Sequence, residues 1–254
     1  MTLVITPLSN LPLVTPGANL ARLIIDALEA EQIVLQNGDI FVLAQKIVSK
    51  AENRFINLAK VEPSAEAIEL AQQVEKDPRM IDLVLRESRK VLRHRPGTII
   101  VEHRLGFICA NAGIDHSNVR EAVQGEEWVL LLPENPDASA EKLRKHLEER
   151  YRVRLGILII DSHGRAWRMG TTGVTIGLSG VPGLVDLRGR SDLFGYTLQI
   201  TQVGAADELA SAASLVMGQA AEGTPLVHVR GFPYPLRESE LNELIRPEEL
   251  DLFR

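Results

Sequence analysis

An aspartate, a serine and two arginines follow the most apolar stretch of the chain. Residues 155–160 form an unbroken apolar run, typical of a strand buried on both faces, and Asp161 and Ser162 come directly after it. Arg165, Arg168 and four glycines follow, at positions 170, 173, 177 and 180. A carboxylate can hold a hard cation, a guanidinium fork suits phosphate, and glycine lets backbone N–H groups approach an anion. The pattern predicts a metal and phosphate site at the strand exit, although a turn, surface arginines and glycines used for packing would look the same.

A second acid leaves another predicted strand. Residues 107–110 are apolar and run into a polar loop over residues 111–118, in which Asp115 is a candidate metal ligand. Loops positioned by a rigid strand often carry function. His116 has no partner at metal-ligand spacing, so we expect an exposed polar residue there.

Two lysines follow a third apolar run. Residues 40–43 predict a buried strand, and Gln45, Lys46, Ser49 and Lys50 come just beyond it. The lysines could reach phosphates, whereas a solvated helical face is the alternative interpretation.

Predicted strands and helices alternate irregularly around these residues, which favours an α+β fold with mixed sheets over a doubly wound one. Strands are expected at residues 2–6, 98–101, 128–132, 197–203 and 226–229, and residues 98–101 and 107–110 form a hairpin turning near Gly106. Helices are expected from Asn19, from Ser64 to about Lys76, from Asp77-Pro78 to His94 and Arg95, over 139–151, from Asp207 to Gly218, and as a polar tail over 237–254.

Composition restricts the functional class. The chain has 254 residues and a net charge of −6, which argues against a nucleic-acid binder. It contains neither a signal-peptide pattern nor an apolar run of the roughly 20 residues that a membrane span needs, so we expect a soluble, cytoplasmic protein. Cys109 is the single cysteine, and its apolar neighbours predict a buried structural thiol.

Several segments, in order, resemble the coenzyme F-420-0:L-glutamate ligase (coenzyme F-420 gamma-glutamyl ligase) family. The resemblance covers residues 5–231, and the most specific parts are the asparagine–aspartate loop and the aspartate–arginine segment. The matching stretches are Leu11-Pro12-Leu13, Gly38-Asp39-Ile40, residues 46–52, residues 111–115 and 117–119, Asp161-Ser162, Gly164-Arg165, Trp167-Arg168, Gly170, Ile176-Gly177, residues 207–210 and Met217-Gly218-Gln219.

The resemblance implies one catalytic unit over residues 1–254, with two intertwined subdomains forming a homodimer. Its activity would be GTP-dependent addition of L-glutamate, and of further γ-linked glutamates, to the phospholactyl deazaflavin F-420-0 through an acyl phosphate. The implied cofactors are two Mg²⁺ or Mn²⁺ ions, with K⁺ as a candidate additional ion.

Residue roles are carried over by position. Catalytic roles would fall to Asp115, Asp161 and Arg168, and metal ligation to Asp115, Asp161, Ser162 and Gln219. GTP contacts would come from Leu11, Pro12, Gln45, Lys46, Lys50, Asn118, Met217, Gly218, Gln219 and Glu222. The chain departs from the family pattern at Gln219, where other members have an acid, and at Asn53, where many have glycine.

Three alternatives remain. The same scaffold could ligate another amino acid or acceptor. A metal-dependent phosphohydrolase would leave the lysines unexplained, and a nucleotide-binding module would have no use for the intact acids. Glutamate-dependent GTP turnover separates the last two from a ligase.

Overall fold

The computed structural model describes residues 2–119 and 126–253, which form a mixture of α-helices and β-strands, as predicted. In chain order the elements are β1 (Val4–Pro7), α1 (Leu20–Ala30), β2 (Ile40–Ala44), α2 (Gln45–Ala51), β3 (Phe55–Asn57), α3 (Ala65–Val74), α4 (Pro78–Arg86), β4 (Ser88–Arg95), β5 (Thr98–His103), β6 (Ile108–Ala110), β7 (Trp128–Leu130), α5 (Pro136–Tyr151), β8 (Gly156–Arg165), β9 (Arg168–Ser179), β10 (Val185–Asp186), β11 (Gln202–Val203), α6 (Ala205–Met217) and β12 (Leu226–Arg230). No helix among the described residues is long and apolar enough to cross a membrane.

A five-stranded main sheet, in the order β1-β12-β2-β8-β9, has a core on each face. The central strands β2 and β8 are parallel, and their apolar runs alternate between the two faces because successive strand side chains point in opposite directions. Phe41 and Ile157 face one core together with α1 and α5, and Val42 and Leu158 face the other together with α6. The continuous apolar runs around residues 40 and 155 are therefore explained by burial on both sides.

A smaller lobe, which we call the small lobe, consists of α3, α4 and the antiparallel sheet β4-β5-β6. Its core contains Ile81 and Val84 of α4 and Ile99 and Val101 of β5, all fully buried. The predicted hairpin is confirmed: β5 pairs with β6, and Gly106 N–H closes the turn onto His103 O at 2.8 Å. Cys109 is buried as predicted, and burial raises the pKa of its thiol to about 12.

Strand β8 does not end at Asp161, so the predicted strand exit is wrong. The strand continues to Arg165 and forms a long hairpin with β9, in which Asp161 pairs with Val174 and Ser162 with Gly173. The apolar run ends where burial ends, whereas the strand itself is extended by hydrogen bonding to a distant segment.

Two of the glycines in β9 allow close packing instead of cradling an anion. A Cβ atom at Gly173 would lie 2.6 Å from the carbonyl oxygen of Ala210 in α6. A Cβ atom at Gly177 would lie 2.5 Å from Cβ of Pro136 in α5, and 2.6 Å from its carbonyl carbon. Helices on both faces of the sheet approach β9 at points where only glycine fits.

We expect Gly177→Ala to destabilise the protein by about 1–3 kcal/mol, because the added methyl group meets the backbone of Pro136 and must displace α5. Gly164→Ala is the matched control, since a Cβ atom at Gly164, in the partner strand, meets nothing within 4 Å. Urea unfolding followed by circular dichroism measures both free energies. Equal stability of the two variants would contradict the packing role of Gly177.

Three predicted elements differ in the structure. The helix from Asp77 ends at Arg86, and residues 88–95, which include His94 and Arg95, form β4 because they pair with β5. The predicted strand over 197–203 is reduced to Gln202–Val203. The predicted helical tail over 237–254 is wrong: its described residues contain only the short 3₁₀ turns Leu241–Glu243 and Glu248–Leu250, and Pro247 lies between them.

Candidate active site

The main sheet and the segment that leaves the small lobe each contribute one aspartate to the same site. Asp161 lies on β8, and Asp115 follows β6 and forms a bridge with Leu130 through two backbone hydrogen bonds of 2.9 Å. Burial raises the pKa of the Asp115 carboxyl, Lys46 opposes this shift, and the negative charge of Asp161 adds to it. The charge of Asp161 is thus within electrostatic reach of Asp115.

A tight turn positions Asp115. Asn111, Ala112 and Gly113 all have positive φ, at 50°, 53° and 64°. A Cβ atom at Gly113 would lie 2.7 Å from Cδ1 of Leu132, so only glycine fits there. Consecutive left-handed residues are costly and are typical of sites where the chain must point a side chain in one direction.

Helix α2 supplies both partners of Asp115. The ammonium of Lys46 forms an ion pair with Oδ1, and the side-chain amide of Gln45 donates to Oδ2. Gln45 is itself held in place, because its Oε1 accepts a hydrogen bond of 2.9 Å from Ser49 Oγ. Gln45 and Lys46 are consecutive on α2, and Ser49 lies one turn later. Because α2 begins directly after β2, all three lie at the C-terminal end of that central strand.

Lys50 lies one helical turn beyond Lys46. Burial and the neighbouring Lys46 charge lower the pKa of the Lys50 ammonium, and Asp115 opposes this shift. Two lysines and two aspartates in one place make the site suitable for a polyanion together with cations. The alternative of a merely solvated helical face does not fit the half-buried position of Lys50.

His163 is a site residue that the sequence analysis missed. Its Nε2 lies 3.1 Å from Oδ2 of Asp161, and both side chains are largely buried. Burial raises the pKa of Asp161, but the hydrogen bond and charge of His163 outweigh it and hold the pKa below its usual value. The sequence contains a pattern that could have predicted His163. Residues two apart on a strand share a face, so His163 lies on the same face as Asp161 if the strand continues past Asp161.

The turn after α6 contacts β8 and the Asp115 loop. Ser162 Oγ donates to Oε1 of Gln219 at 2.8 Å, and Gln219 Nε2 donates to Oγ of Ser214 at 2.9 Å. Asn118 Nδ2 donates to Ala220 O at 2.8 Å, which ties the Asp115 loop to the same turn. Ser162 and Gln219 were predicted as metal ligands and Asn118 as a nucleotide contact, from distant parts of the chain, and the structure brings all three to the same turn.

Of the other predicted nucleotide contacts, three lie at the turn after α6 and two lie in the loop after β1. Met217 and Gly218 end α6, and the carboxylate of Glu222 accepts from Ala220 N at 2.8 Å in the same turn. Leu11 packs on the core that includes Ile47 of α2, and Pro12 is exposed.

Arg168 is not part of the cluster in the single chain. It is exposed and pairs with Arg165 at the end of the β8–β9 hairpin. Six positions separate it from Val174, the partner of Asp161, which corresponds to roughly 20 Å along a strand. His116 is exposed as predicted, with Nε2 3.1 Å from Glu127 Oε1. Asn53 has a φ of 57°, the left-handed conformation that glycine and asparagine both accept.

The available donors fit a hard divalent cation. Asp115 and Asp161 supply carboxylates, Ser162 a hydroxyl and Gln219 an amide oxygen, and oxygen ligands of this kind suit Mg²⁺ and Mn²⁺. Burial is the main cause of the raised Asp115 pKa, and a bound cation would offset the repulsion from Asp161 that adds to it. Within residues 2–119 and 126–253, no group of three or more His, Cys, Asp and Glu side chains is arranged as a metal site, so neutral oxygens would have to complete the ligand set.

Comparison with known proteins shows the family of the chain. The family model for F420-0:Gamma-glutamyl ligase matches residues 9–231. The chain is 46% identical over 257 residues to the coenzyme F420:L-glutamate ligase of Methanopyrus kandleri, covering 100% of this chain and 98% of the relative. It is 44% identical over 247 residues to that of Methanothermobacter thermautotrophicus, covering 96% of each, and 39% identical over 254 residues to that of Archaeoglobus fulgidus, covering 100% and 97%. The chain therefore belongs to the F420-0:gamma-glutamyl ligase family.

Proposed function

We propose that this protein uses GTP to ligate L-glutamate to the carboxylate of the deazaflavin coenzyme F-420-0. The observation that carries the proposal is the cluster of Asp115, Asp161, Lys46 and Lys50, in a chain of the gamma-glutamyl ligase family. An acid pair beside two cationic side chains suits phosphoryl transfer, in which the protein mainly positions groups and neutralises charge.

Amide formation from a free carboxylate is uphill, so the carboxylate must first be activated. In the proposed sequence a carboxylate oxygen of the acceptor attacks the γ-phosphorus of GTP, the bond to the β–γ bridging oxygen breaks, and GDP leaves. The amine of L-glutamate then attacks the acyl carbon, loses a proton and expels inorganic phosphate. Addition of further γ-linked glutamates would repeat the same two steps on the new terminal carboxylate.

The residues of the cluster would have separate roles in phosphate binding, in positioning Asp115 and in metal binding. Lys46 and Lys50 would bind phosphate oxygens, which are the anions that their charge and partial burial suit best. Gln45 holds Asp115 in place from the side of α2. Asp115, Asp161, Ser162 and Gln219 would hold two Mg²⁺ or Mn²⁺ ions, with K⁺ as an additional candidate ion. Such ions, when bound, neutralise phosphate charge and orient the reacting oxygens.

The guanine nucleotide would lie along the turn after α6. Asn118 and the 217–222 turn are joined by the hydrogen bond from Asn118 to Ala220 O, and they border the Ser162–Gln219 pair. The Leu11-Pro12 loop would cover the nucleotide from the side of α2, since Leu11 packs on the same core as Ile47.

Phosphate release tests the reaction class. We expect GTP turnover that requires the deazaflavin acceptor and L-glutamate. Turnover without glutamate would indicate a phosphohydrolase, and GTP binding without turnover would indicate a binding module. Turnover with another amino acid, but not with L-glutamate, would indicate a ligase of different specificity.

Lys50→Ala should raise the KM for GTP, because a half-buried ammonium beside the acid pair is lost from the phosphate-binding side of the site. We expect a rise of about tenfold, which is the effect of one charge-assisted hydrogen bond. Lys142→Ala, at an exposed position on α5, is the matched control. Steady-state kinetics at saturating glutamate give both values, and an unchanged KM for GTP would remove Lys50 from the phosphate site.

We also propose that the protein is a homodimer, with the tip of the β8–β9 hairpin in the interface. Trp167 and Met169 at this tip are 88% and 97% exposed, and Leu193 and Phe194 are more than nine-tenths exposed. Large exposed apolar side chains are typical of interaction surfaces. Arg168 would then act in the active site of the second copy, because the hairpin places it far from Asp161 of its own chain.

Light scattering tests the assembly. The wild-type protein should have twice the 28.0 kDa mass of one chain, and Trp167→Asp should shift the population toward the single-chain mass. Val34→Asp is the control, because Val34 is 78% exposed and outside the hairpin. A wild-type protein at the single-chain mass would contradict the dimer.

A further inference from the structure

Three aromatic rings connect the small lobe to Asp161. The rings of His103 and Phe107 are stacked, with centroids 5.0 Å apart and an interplanar angle of 5°. Phe107 in turn contacts His163, with centroids 5.2 Å apart and a tilt of 50°. We call these three residues the ring stack. His103 and Phe107 have no role in the chemistry proposed above.

The His103 end of the ring stack is fixed. His103 is fully buried, its backbone N–H donates to Phe107 O at 2.9 Å, and its Nδ1 accepts from Leu105 N at 3.1 Å. Burial and the charge of Arg104 lower the pKa of His103 to about 3, so the ring is neutral at physiological pH. The neighbouring Glu87 is held by Arg104 at 2.9 Å and by Arg54 at 3.1 Å. Phe107 therefore packs on a buried, neutral ring whose Nδ1 is hydrogen-bonded.

The His163 end meets the carboxylate of Asp161. The Nε2···Oδ2 distance is 3.1 Å, and the side chains of His163 and Asp161 are 10% and 14% exposed. An ionised carboxylate only accepts hydrogen bonds, so Nε2 of His163 is the donor. With Phe107 against its ring, His163 can hold that oxygen of Asp161 in one direction and leave the other oxygen for a cation.

We propose that His163 is a positioning residue, which orients the Asp161 carboxylate for the divalent cation and is itself oriented by Phe107. This inference rests on the proposed function, because it assumes that Asp161 is a cation ligand. Ligating carboxylates are commonly fixed by hydrogen-bond donors of this kind, and removal of such donors weakens metal binding. The ring stack thereby makes the affinity of a main-sheet ligand depend on the small lobe, whose last strand β6 leads to Asp115.

Manganese binding to the whole protein, measured without GTP by electron paramagnetic resonance, tests the proposal. We expect His163→Leu to weaken Mn²⁺ binding by about tenfold, the lower end of the effect of losing an outer hydrogen bond to a metal ligand. His163→Gln should recover most of the affinity, since its amide can donate to Asp161. His146→Leu, at an exposed position of α5, should bind as the wild type does.

Phe107→Leu keeps the imidazole but removes the ring against it, and we expect a smaller loss of affinity. This variant also provides a test if His163→Leu fails to fold. Unchanged Mn²⁺ affinity in folded His163→Leu, or in Phe107→Leu when His163→Leu does not fold, would overturn the inference. Failure of His163→Gln to recover affinity would also overturn it, because ring volume and not the hydrogen bond would then matter.

Two further outcomes separate this inference from the proposed function. If Asp161→Asn loses Mn²⁺ binding while His163→Leu does not, the proposed metal site stands and the positioning role fails. If the wild-type protein does not bind Mn²⁺, both the proposed metal site and the role of His163 are wrong.

Discussion

Asp161→Asn should lower kcat/KM for glutamate ligation about a thousandfold, because a neutral amide lacks the negative charge with which a carboxylate holds a divalent cation. The substitution keeps the size of the side chain and an oxygen that can accept from His163. It also removes a buried negative charge next to Asp115, so the fold should be retained. Steady-state kinetics, with circular dichroism to confirm folding, measure the effect.

Asp26→Asn is the matched control for this experiment. Asp26 lies on the exposed side of α1, where it forms an ion pair of 2.7 Å with Arg22, and surface pairs of this kind contribute little. Its ligase activity should equal that of the wild type. Wild-type activity in folded Asp161→Asn would remove Asp161 from the active site and with it the central acid pair.

The largest effect on stability is expected at Asp39, which is 1% exposed at the start of β2. Its carboxylate accepts from Arg230 Nε at 2.8 Å, from Arg230 Nη2 at 2.6 Å and from Gln36 N at 2.9 Å, and His228 Nε2 lies 3.0 Å away. Asp39→Ala should destabilise the protein by about 3 kcal/mol, because a buried histidine and a half-buried arginine lose their partner.

The same substitution has a pH signature. Burial raises the pKa of Asp39, but the hydrogen bonds from Arg230 and His228 outweigh it and hold the pKa well below the usual range. A depressed pKa contributes stability above the unfolded-state value of about 3.9, and this contribution is lost as the pH falls toward the folded-state value. The stability difference between wild type and Asp39→Ala should be constant near neutral pH and shrink below about pH 4.

Asp186→Ala is the control for Asp39. Asp186 also pairs with an arginine, Arg188, but on the exposed surface, so its loss should change stability little. Urea unfolding from pH 3 to pH 8 gives all three stability curves. A difference between wild type and Asp39→Ala that grows as the pH falls would contradict the assigned sign.

The sequence predicted the chemical groups of the site better than their geometry. The structure places the acids and lysines that follow apolar runs near one another, because β2 and β8 are parallel and Ala44, the last residue of β2, pairs with Ile160, which precedes Asp161. The sequence analysis missed His163 because it took the end of the apolar run as the end of the strand. The apolar run ends where burial ends, whereas β8 continues past Asp161 and so places His163 beside it. Pairing between Asp161 and Val174 depends on a segment 13 residues away, which local pattern does not contain.

The spacing of apolar residues also predicted the wrong element where strand pairing determines the structure. Residues 88–95 continue a helical spacing of apolar residues from α4, yet they form β4 because β5 lies beside them. Caps with a direct side-chain mechanism were reliable: Asn19, Ser64 and Asp77 each accept from a backbone N–H at the start of the predicted helix. Arg168 was grouped with Asp161 by sequence proximity, and the hairpin separates them.

Mass spectrometry of the deazaflavin acceptor, after incubation with the protein, GTP, Mn²⁺ and L-glutamate, tests the central claim most directly. We expect the acceptor to gain the mass of one or more glutamyl units, and the gain should be absent when GTP or Mn²⁺ is omitted. The number of added units also shows whether the chain extends its own product. An unchanged acceptor mass, with folded protein that binds GTP, would contradict ligation of L-glutamate to this acceptor.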